Sequence, residues 1–255
     1  INMIVCQIAS SLFNISKKIA RIRSQEFLEG KWSKLYSKSN IPIDVIISPE
    51  REVAKSLFRK LEAPGALDNV PFVKDRVKLL EILIEQKCPI ANISLKDLTK
   101  KFPEFKAYIF GAVRKENFVF FKKNDQLKVG DKVYLVVSTE QINKLLSVFG
   151  HDEKVAQKIL IIGGGNIGLH LAKLLETTEG LRTKIIEKNK DRAQQIASEL
   201  SSSIVICGDP LDEKILKEAN IEEVETVFAL TDDDEDNIMA CVLAEKYTPS
   251  KRTIA

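Results

Sequence analysis

Residues 158–173, KILIIGGGNIGLHLAK, decide how this chain folds. A short apolar run, Ile159 to Ile162, leads into Gly163, Gly165 and Gly168 and then into an amphipathic stretch. Glycines at this spacing between a strand and a helix form the turn that receives a dinucleotide. Each has its own reason. Gly163 permits the tight turn, Gly165 lets a pyrophosphate approach the backbone, and Gly168 lets helix and strand pack closely. The amides of Gly165, Asn166 and Ile167 then face the phosphates from a helix N-terminus, where the dipole favours negative charge. Nineteen residues after Gly168 comes Glu187, closing the segment RTKIIE. An acid there accepts hydrogen bonds from ribose hydroxyls and repels a 2′-phosphate, which favours NAD(H) or an adenine nucleotide over NADP. A solvated strand-end carboxylate is the simpler alternative, and the placement of the glycines argues against it.

The pattern continues outward from this turn. KILII, NIGLHLAKLLE, RTKIIE, KDRAQQIASEL, SSIVICGD, DEKILKEAN, TVFALT, EDNIMACVLAEKY and RTIA alternate strand and helix to the end of the chain. Such alternation predicts an α/β fold, a Rossmann-type parallel sheet covered on both faces. Ligands in such sheets lie outside the carboxyl ends of the strands. Gly208 and Asp209 therefore fall on the adenine side, and Thr231 and Asp232 beside the glycine turn. The acidic run from Thr231 to Asp236 is explained mostly by helix capping. A hard-cation site made of Asp232, Asp233, Asp234 and Asp236 is the weaker alternative, since nothing fixes their geometry.

Several classes are disfavoured by composition. With 44% hydrophobic and 29% charged residues in 255, the chain has ordinary globular character and room for two or three small domains. A net charge of +3 is too small to argue for nucleic acid or anionic lipid. No apolar run approaches a membrane span, and no signal peptide is visible. Cys6, Cys88, Cys207 and Cys241 form no CxxC pair and suit a reducing compartment, with cytosol as the default. No residue stands out as the acid–base group a dehydrogenase needs. His170 follows the glycine turn on a helix and suits surface or packing, His151 lies in a linker, and Cys207 is expected as a small buried side chain.

Residues 1–62 predict a helix over 2–13, a short strand in KKIARIR, a loop, a strand in PIDVIIS, and a helix entered through a Ser48 cap and Pro49. APGALDN at 63–69 is a break and a candidate boundary. Residues 70–150 predict a small α+β domain. In it DRVKLLEILIEQ suits a helix or a strand, AYIFGAVRKENFVF and KVYLVV are extended, and TEQINKLLSVFG is a helix ending at Gly150. Turns are expected at Asn124-Asp125 and Gly130-Asp131, and HDEKVAQ at 151–157 is a polar linker. INMIVCQIAS also aligns with DNIMACVLAE at a constant offset of 235, placing Asn2, Cys6 and Ala9 on Asn237, Cys241 and Ala244. The chain reads as a window on a tandem repeat.

In order along the chain, NMIVCQIASSLFNISKKIARIRSQEFL, IDVIISPE, LEAPGAL and KILIIGGGNIGLHLAKLLE resemble the tandem RCK family, the TrkA-type regulatory subunits of Trk potassium-uptake systems. The resemblance covers nearly the whole chain. It implies two partial Rossmann-type lobes flanking a small α+β RCK C-terminal domain. Residues 1–62 would be the back half of a first lobe with its crossover helix, 70–150 the C-terminal domain, and 158–255 the front of a second lobe. The first lobe's glycine turn would precede Ile1, and the second lobe's last strand and C-terminal domain would follow Ala255. Carried over by position, Ile162, Gly163, Gly164, Gly165 and Asn166 match the family's nucleotide-contacting turn and Glu187 its ribose acid. Asp209 matches the adenine-side position, Thr231 and Asp232 the fourth-strand contacts, and Arg21 a nucleotide position of the first lobe, where a solvated strand-end arginine is the alternative.

The function so implied is non-enzymatic. NAD(H), with ATP or ADP as alternatives, would occupy the second lobe, and RCK units would assemble into a ring beneath an integral-membrane potassium transporter. The protein would be cytoplasmic and peripheral to the membrane through that partner, with no nucleic acid and no membrane insertion of its own. Two other functions compete. One is an NAD-dependent oxidoreductase whose substrate domain lies in the flanks. The other is an assembly module with a vestigial site, against which the glycine triad and Glu187 argue.

Overall fold

Ile159, Leu160, Ile161 and Ile162 are all buried, as the continuous apolar run of a central parallel strand requires. They belong to a computed structural model of the chain that describes residues 1–13, 15–22, 34–36, 40–152, 155–247 and 252–255. The chain falls into two units, residues 1–55 with 158–255, and residues 56–157.

In the first unit, helix α1 spans Asn2–Leu12, strand β1 Ile19–Arg21 and β2 Val45–Ile47; helix α2, Pro49–Glu62, begins there and from Ser56 on belongs to the second unit. β1 and β2 pair in parallel, with Arg21 opposite Ile47. Cys6 of α1 packs with Ala20, Ile22 and Ile43. Ser48 precedes α2 as expected, but its hydroxyl is buried without a hydrogen bond. Its carbonyl accepts the first helical N–H groups, from Arg51 and Glu52, each at 3.1 Å. Of the expected strand KKIARIR, Arg23 lies outside the described residues, as do most of the following loop and residues 153 and 154 of the linker.

The strand–helix alternation expected after the linker forms throughout. Labelled ahead in chain order, β8 is Lys158–Ile162, α5 Asn166–Glu176, β9 Arg182–Glu187, α6 Lys190–Glu199, β10 Ile204–Cys207, α7 Glu213–Glu218, β11 Thr226–Ala229, α8 Asp234–Tyr247 and β12 Arg252–Ile254. The sheet order is β10-β9-β8-β11-β12, and every pair is parallel. Chain progression reverses at β8, so the crevice between the ends of β8 and β11 is the topological switch point where such sheets bind ligands. Leu160, Ile162, Ile186, Ile206, Val227 and Ala229 carry the core, closed by Leu216, Ile221, Ala240 and Ala244. His170 is buried at 8% exposure on α5, so it packs rather than faces solvent.

The second unit is an antiparallel sheet with helices against one face. Its strands are β3 Ala66–Phe72, β4 Val77–Leu83, β5 Ala107–Arg114, β6 Asn117–Phe120 and β7 Lys132–Ser138, ordered β3-β4-β7-β5-β6. The two helices are α3, Leu95–Lys101, and α4, Ile142–Val148. DRVKLLEILIEQ takes its strand alternative, because Lys78, Leu80 and Ile82 alternate inward along β4. The buried Lys78 ammonium meets Glu62 at 2.8 Å and Asp75 at 3.4 Å. APGALDN turns only at Ala63–Gly65; its last four residues already belong to β3. AYIFGAVRKENFVF is a hairpin rather than one extended segment, folding at Lys115 (φ 48°) and Glu116 (φ 65°). Turns form at Lys122–Asp125 and Lys128–Asp131, and Gly150 (φ 91°) follows α4, as expected.

Candidate nucleotide-binding site

The turn between β8 and α5 is held by contacts that only glycine allows. Gly163 has φ 101° and donates its N–H to the Ile186 carbonyl at 2.8 Å. A Cβ there would stand 2.7 Å from the Leu230 carbonyl oxygen. At Gly168 a Cβ would fall 2.1 Å from the Gly163 carbonyl oxygen, so the first turn of α5 rests directly on the glycine turn. Gly165 differs. It is the N-cap of α5 at φ −61°, ψ −172°, and a Cβ there would have no neighbour within 4 Å. The space beside it is open, as the approach of a phosphate requires. Asn166, Ile167 and Gly168 begin α5, so helical geometry gives their N–H groups no acceptor within the helix, and the helix dipole adds positive potential.

Gly164 is enclosed. Its N–H donates to Glu187 Oε2 at 2.7 Å, and its carbonyl accepts from Arg192 Nε at 2.8 Å. Glu187 Oε1 accepts the Asn189 N–H at 2.8 Å. Glu187 is therefore not a loose strand-end carboxylate. Each oxygen keeps acceptor capacity, since an ionised carboxylate offers about four lone-pair sites. Arg192, in the first turn of α6, escaped sequence reasoning. Its signal was its place five residues after Glu187, behind an Asn189 that caps α6 through Arg192 N–H at 2.9 Å.

Beyond Glu187, β10 runs beside β9 with Cys207 opposite Glu187. Cys207 is exposed, contrary to the expectation of a buried side chain, because β10 is the outer strand of the sheet and Cys207 its last residue. Asp209 pairs with Lys188 at 2.6 Å and accepts the Leu211 N–H at 2.9 Å. The Lys188 bond, then the amide, hold the Asp209 carboxyl below its ordinary range, and Asp209 in turn raises the Lys188 ammonium.

After β11, Thr231 is fixed by Asn237, a buried residue of α8 that sequence reasoning also missed. Asn237 Oδ1 accepts the Thr231 N–H at 2.9 Å and its hydroxyl at 2.8 Å. The capping explanation of the acidic run holds: Asp233 accepts the Asp236 N–H at 2.8 Å, and Asp234, Glu235 and Asp236 fill the first turn. Asp232 is exposed beside them. Among the described residues no cluster of three or more His, Cys, Asp or Glu could hold a metal ion.

The structure thus brings residues 162–168, Glu187, Asp209, Thr231 and Asp232 to one edge of the parallel sheet, at the carboxyl ends of β8, β9, β10 and β11. Arg21 stands on the other, two-stranded sheet, 3.9 Å from Glu50. A cavity of about 550 Å³ in the antiparallel unit, with Leu98, Phe102 and Phe149 among its lining, involves none of these residues.

The TrkA-N domain family matches residues 159–255, and the TrkA-C domain family matches residues 79–150. The Trk system potassium uptake protein TrkA of Azorhizobium caulinodans is 42% identical over 247 residues, covering 96% of this chain and 54% of the relative. The protein of the same name from Vibrio alginolyticus is 35% identical over 250 residues, covering 98% and 54%. This chain therefore spans about half the length of the curated relatives it matches. Among solved structures, the GsuK RCK domain superposes with a TM-score of 0.62 at 18% identity, covering 99% of this chain and 51% of that one. A GsuK channel bound to NAD gives 0.64 at 16%, covering 99% and 43%. At those identities the likeness is one of fold. The parallel sheet with its glycine turn, the order of the two matched domains and the similarity across nearly the whole chain make this protein a member of the TrkA family.

Proposed function

We propose that this chain is part of a regulatory subunit that binds NAD(H) at the Gly163–Gly168 turn and controls a potassium-uptake transporter in the membrane, catalysing no reaction of its own. The observation that carries the proposal is the open space beside Gly165 at the N-terminus of α5, next to the Gly164 peptide that the Glu187 carboxylate holds. Phosphates would sit against Gly165, Asn166 and Ile167, ribose hydroxyls against Glu187, and the adenine toward Asp209. Thr231 and Asp232 would border the remaining half of the ligand. The names of the two relatives, both potassium uptake proteins, and the NAD in a channel of like fold support this reading.

Among the described residues no helix is long and apolar enough to cross a membrane, so the attachment proposed runs through an integral-membrane partner beneath which RCK units form a ring. Regulation then requires that the nucleotide bind one ring conformation better than another, because equal affinity shifts nothing. NADH is expected to raise the melting temperature of the full-length protein. Glu187→Ala is expected to weaken that binding by about 1–3 kcal/mol through lost ribose hydrogen bonds. Absence of any shift with NADH, NAD⁺, ATP and ADP would end the proposal, and turnover of a small hydroxy or keto acid with NAD(H) would replace it with an oxidoreductase.

A further inference from the structure

We infer that Arg192 is a positioning residue that, together with Glu187, fixes the shape of the phosphate-binding turn without touching the nucleotide. The inference rests on the nucleotide reading above for its consequence, though not for its geometry. Three glycines in succession, Gly163 to Gly165, give the backbone more conformational freedom than any other sequence would. No side chain of their own holds them. The middle peptide is nevertheless tied on both sides, its N–H to Glu187 at 2.7 Å and its carbonyl to Arg192 Nε at 2.8 Å.

The two partners are in turn tied to each other. Glu187 accepts the Asn189 N–H at 2.8 Å, and the Asn189 side chain accepts the Arg192 N–H at 2.9 Å. Gly164, Glu187, Asn189 and Arg192 therefore close a ring of hydrogen bonds that joins the glycine turn to the end of β9 and the start of α6. The Arg192 guanidinium is braced from its far side by Gln195 at 2.9 Å. Ile196 packs where a Gly164 side chain would be, 2.5 Å from the position of a Cβ, so the residue is enclosed as well as tied. The group that would receive the ribose and the turn that would receive the phosphates are thereby one mechanical unit.

The test uses the full-length protein with Arg192→Met, which keeps the apolar stem and removes the donors, and Arg192→Lys, which restores one. Hydrogen–deuterium exchange without nucleotide is read over residues 160–168, and NADH affinity is read by calorimetry. Arg192→Met is expected to speed exchange in that segment and to weaken NADH at least tenfold, and Arg192→Lys to recover part of both. Unchanged exchange in Arg192→Met overturns the inference. So does a variant whose exchange rises while its NADH affinity stays that of the parent, or a lysine variant no better than methionine. Failure of the parent protein itself to bind NADH would overturn the nucleotide reading instead, and the exchange measurement would still decide whether Arg192 holds the turn.

Discussion

Gly165 and Gly168 stand three residues apart and should fail in opposite ways when given a methyl group. At Gly168 the added carbon would lie 2.1 Å from a backbone oxygen, so α5 must lift off the turn. Gly168→Ala is expected to lose about 1–3 kcal/mol of stability, read as a lower melting temperature, and nucleotide affinity with it. At Gly165 the backbone already suits any residue and the space is empty. Gly165→Ala should change stability by at most about 1 kcal/mol, a stiffer unfolded chain offsetting a poorer N-cap, yet bind NADH at least tenfold more weakly. A Gly165 variant that binds normally would show that no phosphate comes close there. The glycines were legible in sequence because only their residue type allows such contacts. Arg192 and Asn237 were not, since they act on the backbone of other segments; Arg192 left only its short distance from Glu187 as a signal, and Asn237 left none. Ser48 misled for the converse reason: its residue type suits a cap, but its buried hydroxyl accepts no helix N–H, and only its carbonyl makes the helix's first bonds, as that of any residue there would.

At the level of elements, the parallel lobe was readable throughout because apolar strands, helix caps and glycine breaks agree along its length. The antiparallel unit was less so. VKLLEIL carries bulky apolar residues closely enough to suit a helix, and its alternation decides only once β3 and β7 flank it. The hairpins at Val73–Asp75 and Lys115–Glu116 place positive φ on residues other than glycine or asparagine, so their turns carry no signal. One joint between elements offers a pH test. Glu176, ending α5, accepts the N–H groups of Ser201, Ser202 and Ser203 ahead of β10 at 2.8–3.0 Å. Burial works to raise its carboxyl, but the three amides outweigh that and bring it down to about 2. A carboxylate depressed in the fold stabilises it above its ordinary value of 4.5, and that contribution fades as pH falls from there through about 2. Glu176→Gln should therefore cost about 1 kcal/mol at neutral pH, allowing for solvent screening, and should flatten the acid limb of the melting curve. An acid limb identical to the parent's would show that the joint adds no stability.

Across the whole molecule, the offset of 235 that relates the two ends of the sequence has a structural counterpart. α1 leads to β1 and α8 leads to β12, with Ile19 and Ile254 on the corresponding strands. Both matched asparagines hold backbone nearby: Asn2 donates to the Arg21 carbonyl at 2.8 Å, and Asn237 accepts the Thr231 N–H at 2.9 Å. The helix–strand arrangement is repeated. The four cysteines are distributed unevenly. Cys6 and Cys88 are buried, Cys241 is partly covered, and Cys207 alone is exposed, directly across from Glu187 in the neighbouring strand. The native chain thus carries a chemically addressable handle one strand away from the acid proposed to receive ribose. A thiol titration of the folded protein should show a fast-reacting group that is absent in Cys207→Ser. A maleimide fluorophore attached there should change its emission as NADH is added. That would turn the sheet's outermost strand into an optical gauge of nucleotide occupancy, readable on the assembled protein without cutting it apart.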